Sequence, residues 1–195
     1  MTSESGRRRR SIRLKDFDYA SGALYFLTIY ADRRRCIFGK IRDGEMQLNK
    51  LGRIVEDEWL VSLEMRRHID LDAYVIMPNH IHSVVALFEK GDALPGGGQG
   101  ARSAPLRGMQ PRSLASLVAG FKASVTRAAR FVVPRLRTPI WQRNYYEHIV
   151  RDERDLERIR AYIEANPARW EEDAYHPRFH AETPEGARSA PLRVE

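Results

Sequence analysis

The sequence predicts one domain that combines strands with amphipathic helices. A chain of 195 residues, 43% of them hydrophobic, carries enough apolar material for a single core. Some runs are rich in aromatic and β-branched residues, as strands are, and longer segments repeat apolar residues at spacings of three and four, as helices do. The longest uncharged stretch, residues 73–88, is shorter than the roughly 20 residues of a membrane-spanning helix. We therefore expect a soluble, cytoplasmic protein.

The predicted strands are short runs bounded by turn or charged residues. The first contains LYFLTIY, and a basic bend after it predicts a hairpin with the next run. Pro78-Asn79 separates the last two runs and favours a turn. The four runs are residues 24–30, 36–38, 71–77 and 81–88.

Three segments predict helices with one apolar face each: residues 49–67, 113–131 and 152–166. Ser113 and Asp152 are suitable N-caps for the second and third helices. Asn166-Pro167 ends the third, because proline disfavours the helical conformation of the residue before it. The aromatic-rich residues 140–150 predict a short strand or an ordered connection.

The remaining segments are predicted to lie outside the core. Residues 1–18 form a basic arm: residues 1–15 hold six basic residues and one acidic residue, or +5 of the total net charge of +7. Such an arm suits contact with a nucleic-acid backbone, and it also suits a solvated tail. Residues 91–112 are rich in glycine and proline and predict a flexible loop, and residues 179–195 predict a disordered tail. The single cysteine, Cys36, excludes an internal disulfide and a cysteine-based zinc site.

His80-Ile81-His82 stands at the start of a predicted strand. Alternate side chains of a strand share a face, so the two imidazoles can converge on one metal ion while Ile81 faces the core. Two polar residues on a solvated strand face would give the same pattern.

Tyr162 and Asn166 lie four positions apart on the third predicted helix and so share a face. A phenol can act as a nucleophile, and an amide oxygen can complete a coordination shell begun by two histidines. Such a set leaves positions for water and phosphate oxygens and suits Mg²⁺ or Mn²⁺. A boundary aromatic and a helix-terminating asparagine are the structural alternatives.

Three segments together resemble the REP-associated tyrosine transposases, which belong to the single-tyrosine HUH superfamily. They are YFLTIYADRRR (25–35), MPNHIHSVV (77–85) and WQRNYYEHIVRDERDLERIRAYIEANPARW (141–170), in that order. The resemblance implies an α+β fold of the ferredoxin-like sandwich type over residues 19–178. In that fold helices pack on one face of a central antiparallel sheet, and a C-terminal helix brings the tyrosine over the histidine pair.

The resemblance also implies an activity and its residues. Tyr162 matches the nucleophile, and His80, His82 and Asn166 match the ligands of Mg²⁺ or Mn²⁺. The implied enzyme is a metal-dependent endonuclease and strand transferase that cuts single-stranded, REP-like hairpin DNA through a covalent 5′-phosphotyrosine. It is expected at the nucleoid, as a monomer or as a dimer that exchanges its tyrosine helices. Cationic and aromatic residues suited to single-stranded DNA are Arg7, Arg8, Arg9, Arg10, Arg33, Arg34, Arg35, Arg143 and Tyr145.

Two other functions fit part of this pattern. A catalytically silent protein that binds hairpin DNA would keep the fold without the reaction. An RNA-binding module of similar shape would place paired aromatics on its central strands, where this sequence has His80 and His82.

Overall fold

The computed structural model describes residues 22–88, 113–133 and 139–179, and these form a mixed α/β unit. Its elements, in chain order, are β1 (Gly22–Tyr30), β2 (Gly39–Arg42), β3 (Glu45–Leu48), α1 (Lys50–Glu64), β4 (Ile69–Ile76), β5 (His80–Phe88), α2 (Leu114–Val132), β6 (Tyr146–Ile149) and α3 (Glu153–Ala165). Short 3₁₀ turns lie at Asp32–Arg34, Trp170–Glu172 and Pro177–Phe179.

The central sheet is antiparallel, with strand order β4-β5-β1-β6. Apart from the β2-β3 hairpin, the chain runs β1-α1-β4-β5-α2-β6, which is the ferredoxin-like βαββαβ arrangement. The expected fold class is therefore confirmed. The strands predicted at residues 24–30, 71–77 and 81–88 correspond to β1, β4 and β5.

The hairpin predicted after β1 is wrong in its pairing. Residues 36–38 form no strand, β1 pairs with β5 and β6, and β2 pairs with β3 in a separate two-stranded sheet. Asp43 and Gly44 make its turn with φ of 51° and 74°, as two-residue hairpin turns require. The β2 and β3 residues alternate between exposed and half-buried positions, and their weak apolar pattern explains why composition missed them.

The sheet has two covered faces, and the strand period of two decides which residues each face receives. On one face Leu27, Ile29 and Ile81 pack in a core with Trp59 of α1 and Phe121 of α2. The opposite face packs under α3, with a core that includes Leu24, Phe26, Val84, Leu156, Ile159 and Ile163. Since Ile81 faces the first core, His80 and His82 on either side of it face α3.

The predicted helix caps are confirmed. Ser113 Oγ accepts a hydrogen bond from Ser116 N at 3.2 Å, and Asp152 Oδ1 accepts one from Asp155 N at 2.8 Å. The last helical residue of α3 is Ala165, directly before Asn166 and Pro167.

Several predicted segments lie outside the described residues: the arm at residues 1–18 with Arg7 to Arg10, the loop at residues 91–112, and the tail at residues 179–195 apart from Phe179. Within the part of the chain that the structure describes, no helix has both the length and the apolar character to cross a membrane.

Candidate metal and tyrosine site

His80 and His82 meet under α3 at the start of β5. Both side chains are buried, and their Nε2 atoms are 3.0 Å apart. The neighbouring strand β1 positions them: in the sheet register Tyr30 lies opposite His80, and Thr28 lies opposite His82. Two ring nitrogens that converge in a buried space are the arrangement predicted for a shared metal ion.

Asn79 fixes the tautomer of His80. The Asn79 Nδ2 donates to the carbonyl oxygens of Arg34 at 3.0 Å and Tyr175 at 2.7 Å. The Asn79 Oδ1 must therefore accept from His80 Nδ1, at 2.7 Å. With its proton on Nδ1, neutral His80 presents the lone pair of Nε2 to the site, as a metal ligand must.

Thr28 holds the other imidazole. Its Oγ1 is 2.9 Å from His82 Nδ1, and a hydroxyl can accept from a ring N–H or donate to a ring lone pair. Burial lowers the pKa of His82 to about 3. Burial also holds the pKa of His80 well below its usual range, and the charges of His82 and Arg34 lower it further. Both rings are therefore neutral near pH 7, which is the ligating form.

Tyr162 reaches the histidine pair from α3. Its hydroxyl is 3.2 Å from His82 Nε2, and its ring packs edge-on against Phe26 with 6.3 Å between centroids. Burial raises the pKa of the Tyr162 phenol, and the nearby Asp173 and Tyr175 raise it further. The phenol therefore stays protonated at neutral pH unless a cation or a base stabilises the phenolate.

Two further buried oxygens belong to Asp173 and to Asn166, whose side chain neighbours Tyr162 and Asp173. Asn166 Oδ1 and Asp173 Oδ2 have no hydrogen-bond partner among the described residues, although buried polar atoms nearly always find one. The Asp173 Oδ2 is 3.7 Å from His80 Nε2, and the ligand atoms of His80, His82 and Asp173 lie within 4.8 Å of one another. The two imidazoles and the Asp173 carboxylate form a donor set that fits a divalent cation, and Asn166 offers an additional oxygen without a hydrogen-bond partner in the described part of the chain.

Asp173, Tyr30 and Tyr175 are site residues that sequence reasoning missed. Tyr175 packs on His80 with 4.9 Å between ring centroids, and its hydroxyl accepts a hydrogen bond from Tyr30 Oη at 3.0 Å. Asp173 and Tyr175 lie in the irregular segment after α3, where no periodicity or motif marks them. Only the return of the chain across the sheet brings them to the histidines.

The structure separates the residues predicted to contact DNA. Arg34 lies at the site, over the rings of Tyr30 and Tyr175. Arg33 is exposed, and Arg35 binds Asp32 and the carbonyl of Pro139. Arg143 is exposed, and Tyr145 packs against the core under α1 and α2, on the opposite face of the sheet from Tyr162.

Comparison with known proteins gives a sequence relative and solved structures of similar fold. An uncharacterised protein of Haemophilus influenzae is 41% identical over 167 residues, which are 85% of this chain and 91% of that protein. The structure of a REP-associated tyrosine transposase bound to a REP hairpin matches with a TM-score of 0.52 and 19% identity, over 80% of this chain and 73% of that one. No family model matches the sequence. The chain therefore belongs to one family with the Haemophilus influenzae protein, and its fold is that of the REP-associated tyrosine transposases.

Proposed function

We propose that this protein is a metal-dependent endonuclease and strand transferase that cuts single-stranded, REP-like hairpin DNA with Tyr162 as its nucleophile. The observation that carries the proposal is the 3.2 Å approach of the Tyr162 hydroxyl to a buried histidine pair whose His80 tautomer is fixed for ligation. A fold neighbour was determined in complex with a REP hairpin, which supports the choice of DNA substrate.

The cation is proposed to be Mg²⁺ or Mn²⁺, held by His80, His82 and Asn166 with Asp173 as a further ligand. The orphaned oxygens of Asn166 and Asp173 support this assignment, because a cation would satisfy both. When bound, such an ion neutralises charge on the phosphate and favours attack on phosphorus.

The residues of the chain then account for one reversible step. Tyr162 Oη loses its proton and forms a bond to phosphorus, the bond from phosphorus to the 3′ oxygen breaks, and the departing oxygen takes up a proton to leave a 3′-hydroxyl. The strand stays attached to Tyr162 through its 5′-phosphate. Because the linkage is still a phosphodiester, attack by another 3′-hydroxyl rejoins the DNA and restores the phenol without ATP.

DNA binding is proposed to use the predicted cationic residues. Arg34 lies at the tyrosine site, and the exposed Arg33 and Arg143 can contact the strand further away. For Arg35 the proposed DNA contact competes with its hydrogen bonds to Asp32 and Pro139, and for Tyr145 it competes with packing against the core. Arg7, Arg8, Arg9 and Arg10 are proposed to contact the backbone electrostatically.

The proposal is tested by trapping the covalent intermediate. Protein is incubated with single-stranded hairpin oligonucleotides from repeats near its gene, with Mn²⁺ or Mg²⁺, and the products are separated under denaturing conditions. We expect an adduct that requires the metal, disappears in Tyr162→Phe and His80→Ala, and persists in the control Tyr145→Phe. Tight hairpin binding by the wild type with no adduct, over several hairpins and both metals, would contradict the proposal and favour a catalytically silent hairpin-binding protein.

A further inference from the structure

The turn after β1 places one arginine beside the histidine pair. The guanidinium carbon of Arg34 is 5.1 Å from the ring centre of Tyr30 and 4.9 Å from that of Tyr175. Tyr175 in turn packs on His80 and His82, with 4.9 and 6.0 Å between ring centroids. Since aromatic faces attract cations at these distances, the two tyrosines hold the guanidinium one ring away from the histidines.

The backbone of this turn is held in an uncommon conformation. Arg33 and Arg34 both have φ of 51°, in the left-handed region that residues other than glycine rarely adopt. Arg34 N donates to the carbonyl of Ala31 at 3.0 Å, and the Arg34 carbonyl accepts from Asn79 Nδ2 at 3.0 Å. Asn79 also fixes the His80 tautomer. One side chain therefore holds the backbone of Arg34 and the imidazole of His80 in place. Such strain persists where the surrounding structure imposes it, and it is common at functional sites.

The burial of Arg34 differs from that of the histidines. Arg34 is only half-buried, whereas the histidines beneath it are fully buried. The site therefore has a cation at the point where it opens towards solvent.

We propose that Arg34 binds a backbone phosphate of the DNA strand that Tyr162 attacks and so positions that strand over the histidine pair. A guanidinium can donate two parallel hydrogen bonds to two phosphate oxygens, which a lysine cannot reproduce. This role is assigned to Arg34 because its guanidinium lies over the tyrosine pair, whereas Arg33 is an exposed residue and Arg35 is bound to Asp32 and Pro139. The inference rests on the proposed function, since it takes DNA as the ligand.

The test neutralises one phosphate at a time. Hairpin oligonucleotides carry a single methylphosphonate at successive positions around the cleavage site, and their affinities are measured for a Tyr162→Phe parent, which does not cleave. We expect Arg34→Gln to weaken binding of unmodified DNA by about tenfold to a hundredfold. At one position the methylphosphonate should weaken binding by the parent while leaving binding by Arg34→Gln unchanged.

Two variants complete the design. Arg33→Gln removes a charge from the same turn, and we expect the parent's response to be retained at the methylphosphonate position that couples to Arg34. Arg34→Lys keeps the charge, tests the contact if Arg34→Gln does not fold, and should bind with intermediate affinity. The proposal is overturned if no position shows coupling to Arg34, or if Arg33→Gln shows the same coupling. Affinity is measured without cleavage, so failure here is distinguishable from failure to form the tyrosine adduct.

Discussion

At the scale of single residues, the buried oxygens of Asn166 and Asp173 are costly to the fold as long as nothing pairs with them. The Asp173 Oδ2 is unpartnered among the described residues, while its Oδ1 accepts from Tyr175 N at 2.7 Å. An unsatisfied buried oxygen lowers stability, and more so when it carries charge. A cation bound by these oxygens would explain why they have no hydrogen-bond partner within the residues that the structure describes.

Asp173→Asn separates the metal role of this residue from its structural role. An asparagine can keep the Oδ1 acceptor for Tyr175 N but brings no negative charge to a cation. We expect Mn²⁺ affinity to fall about tenfold or more, with the free energy of unfolding of the metal-free protein unchanged or higher. Calorimetric titration with Mn²⁺ and urea unfolding in chelator measure the two quantities. Unchanged Mn²⁺ affinity together with lower metal-free stability would show that Asp173 is structural.

At the scale of elements, an ion pair between α3 and β4 holds the helix that carries Tyr162 against the sheet. Asp72 is fully buried on β4, where the register with β5 shifts between Leu71 and Ala73. It accepts from Arg160 Nε at 2.8 Å and from a second nitrogen of the same guanidinium. Arg160 precedes Tyr162 by two positions, so this pair fixes the helix that carries the phenol.

Replacing one partner of the Asp72–Arg160 pair should destabilise the protein more than replacing both partners. Arg160→Met takes the guanidinium away from the buried Asp72 carboxylate, and we expect it to lower the free energy of unfolding by about 3 kcal/mol. The double variant Asp72→Leu, Arg160→Met should recover part of this loss. Urea unfolding of the two single variants and the double variant measures the coupling. If the double variant loses the sum of the single losses, the pair does not act as a unit.

A carboxylate in the first turn of α3 makes the free energy of unfolding depend on pH. Asp155 accepts from His148 Nε2 at 2.9 Å and from Arg158 at 2.7 Å. Burial alone would raise the pKa of Asp155, but the hydrogen bonds from His148 and Arg158 outweigh it and the pKa lies below its usual value. The unfolded chain therefore binds the proton more readily, and the contribution of Asp155 is present above about pH 4 and lost as pH falls through the folded pKa.

Asp155→Asn tests this dependence. We expect it to cost about 1 kcal/mol of unfolding free energy at neutral pH, and the difference from wild type should shrink below about pH 4. Unfolding curves collected from pH 7 to pH 3 measure it. A difference that stays constant over this interval would show that the carboxylate charge contributes nothing.

At the scale of the whole molecule, the sequence was informative where patterns are periodic or motifs are dense. The three helices and strands β1, β4 and β5 follow from apolar spacing. The motifs predicted that Tyr162 lies near the histidines, which agrees with its contact to His82, and the roles of His80, His82, Tyr162 and Asn166 stay predictions. Asp173 and Tyr175 could not be predicted, because they reach the site only through the path of the chain after α3. The β2-β3 hairpin escaped prediction because its strands bury too little apolar surface to show a pattern.

Tyr162 and His82 contact each other within one chain, so we expect a complete site in each monomer. A mixture of Tyr162→Phe and His80→Ala proteins should then form no adduct, because neither chain has both the nucleophile and the histidine pair. Adduct formation in the mixture, at rates near those of wild type, would instead show a dimer with exchanged tyrosine helices. Each variant assayed alone is the control.

The most direct test of the proposed tyrosine mechanism identifies the atom to which the DNA is joined. The wild-type adduct, formed with Mn²⁺ and a hairpin oligonucleotide, is digested with nuclease and protease, and the modified peptide is mapped by mass spectrometry. We expect a 5′-phosphodiester remnant on Tyr162, in the peptide that contains Asn166. A remnant on Tyr175, Tyr146 or another residue would contradict it.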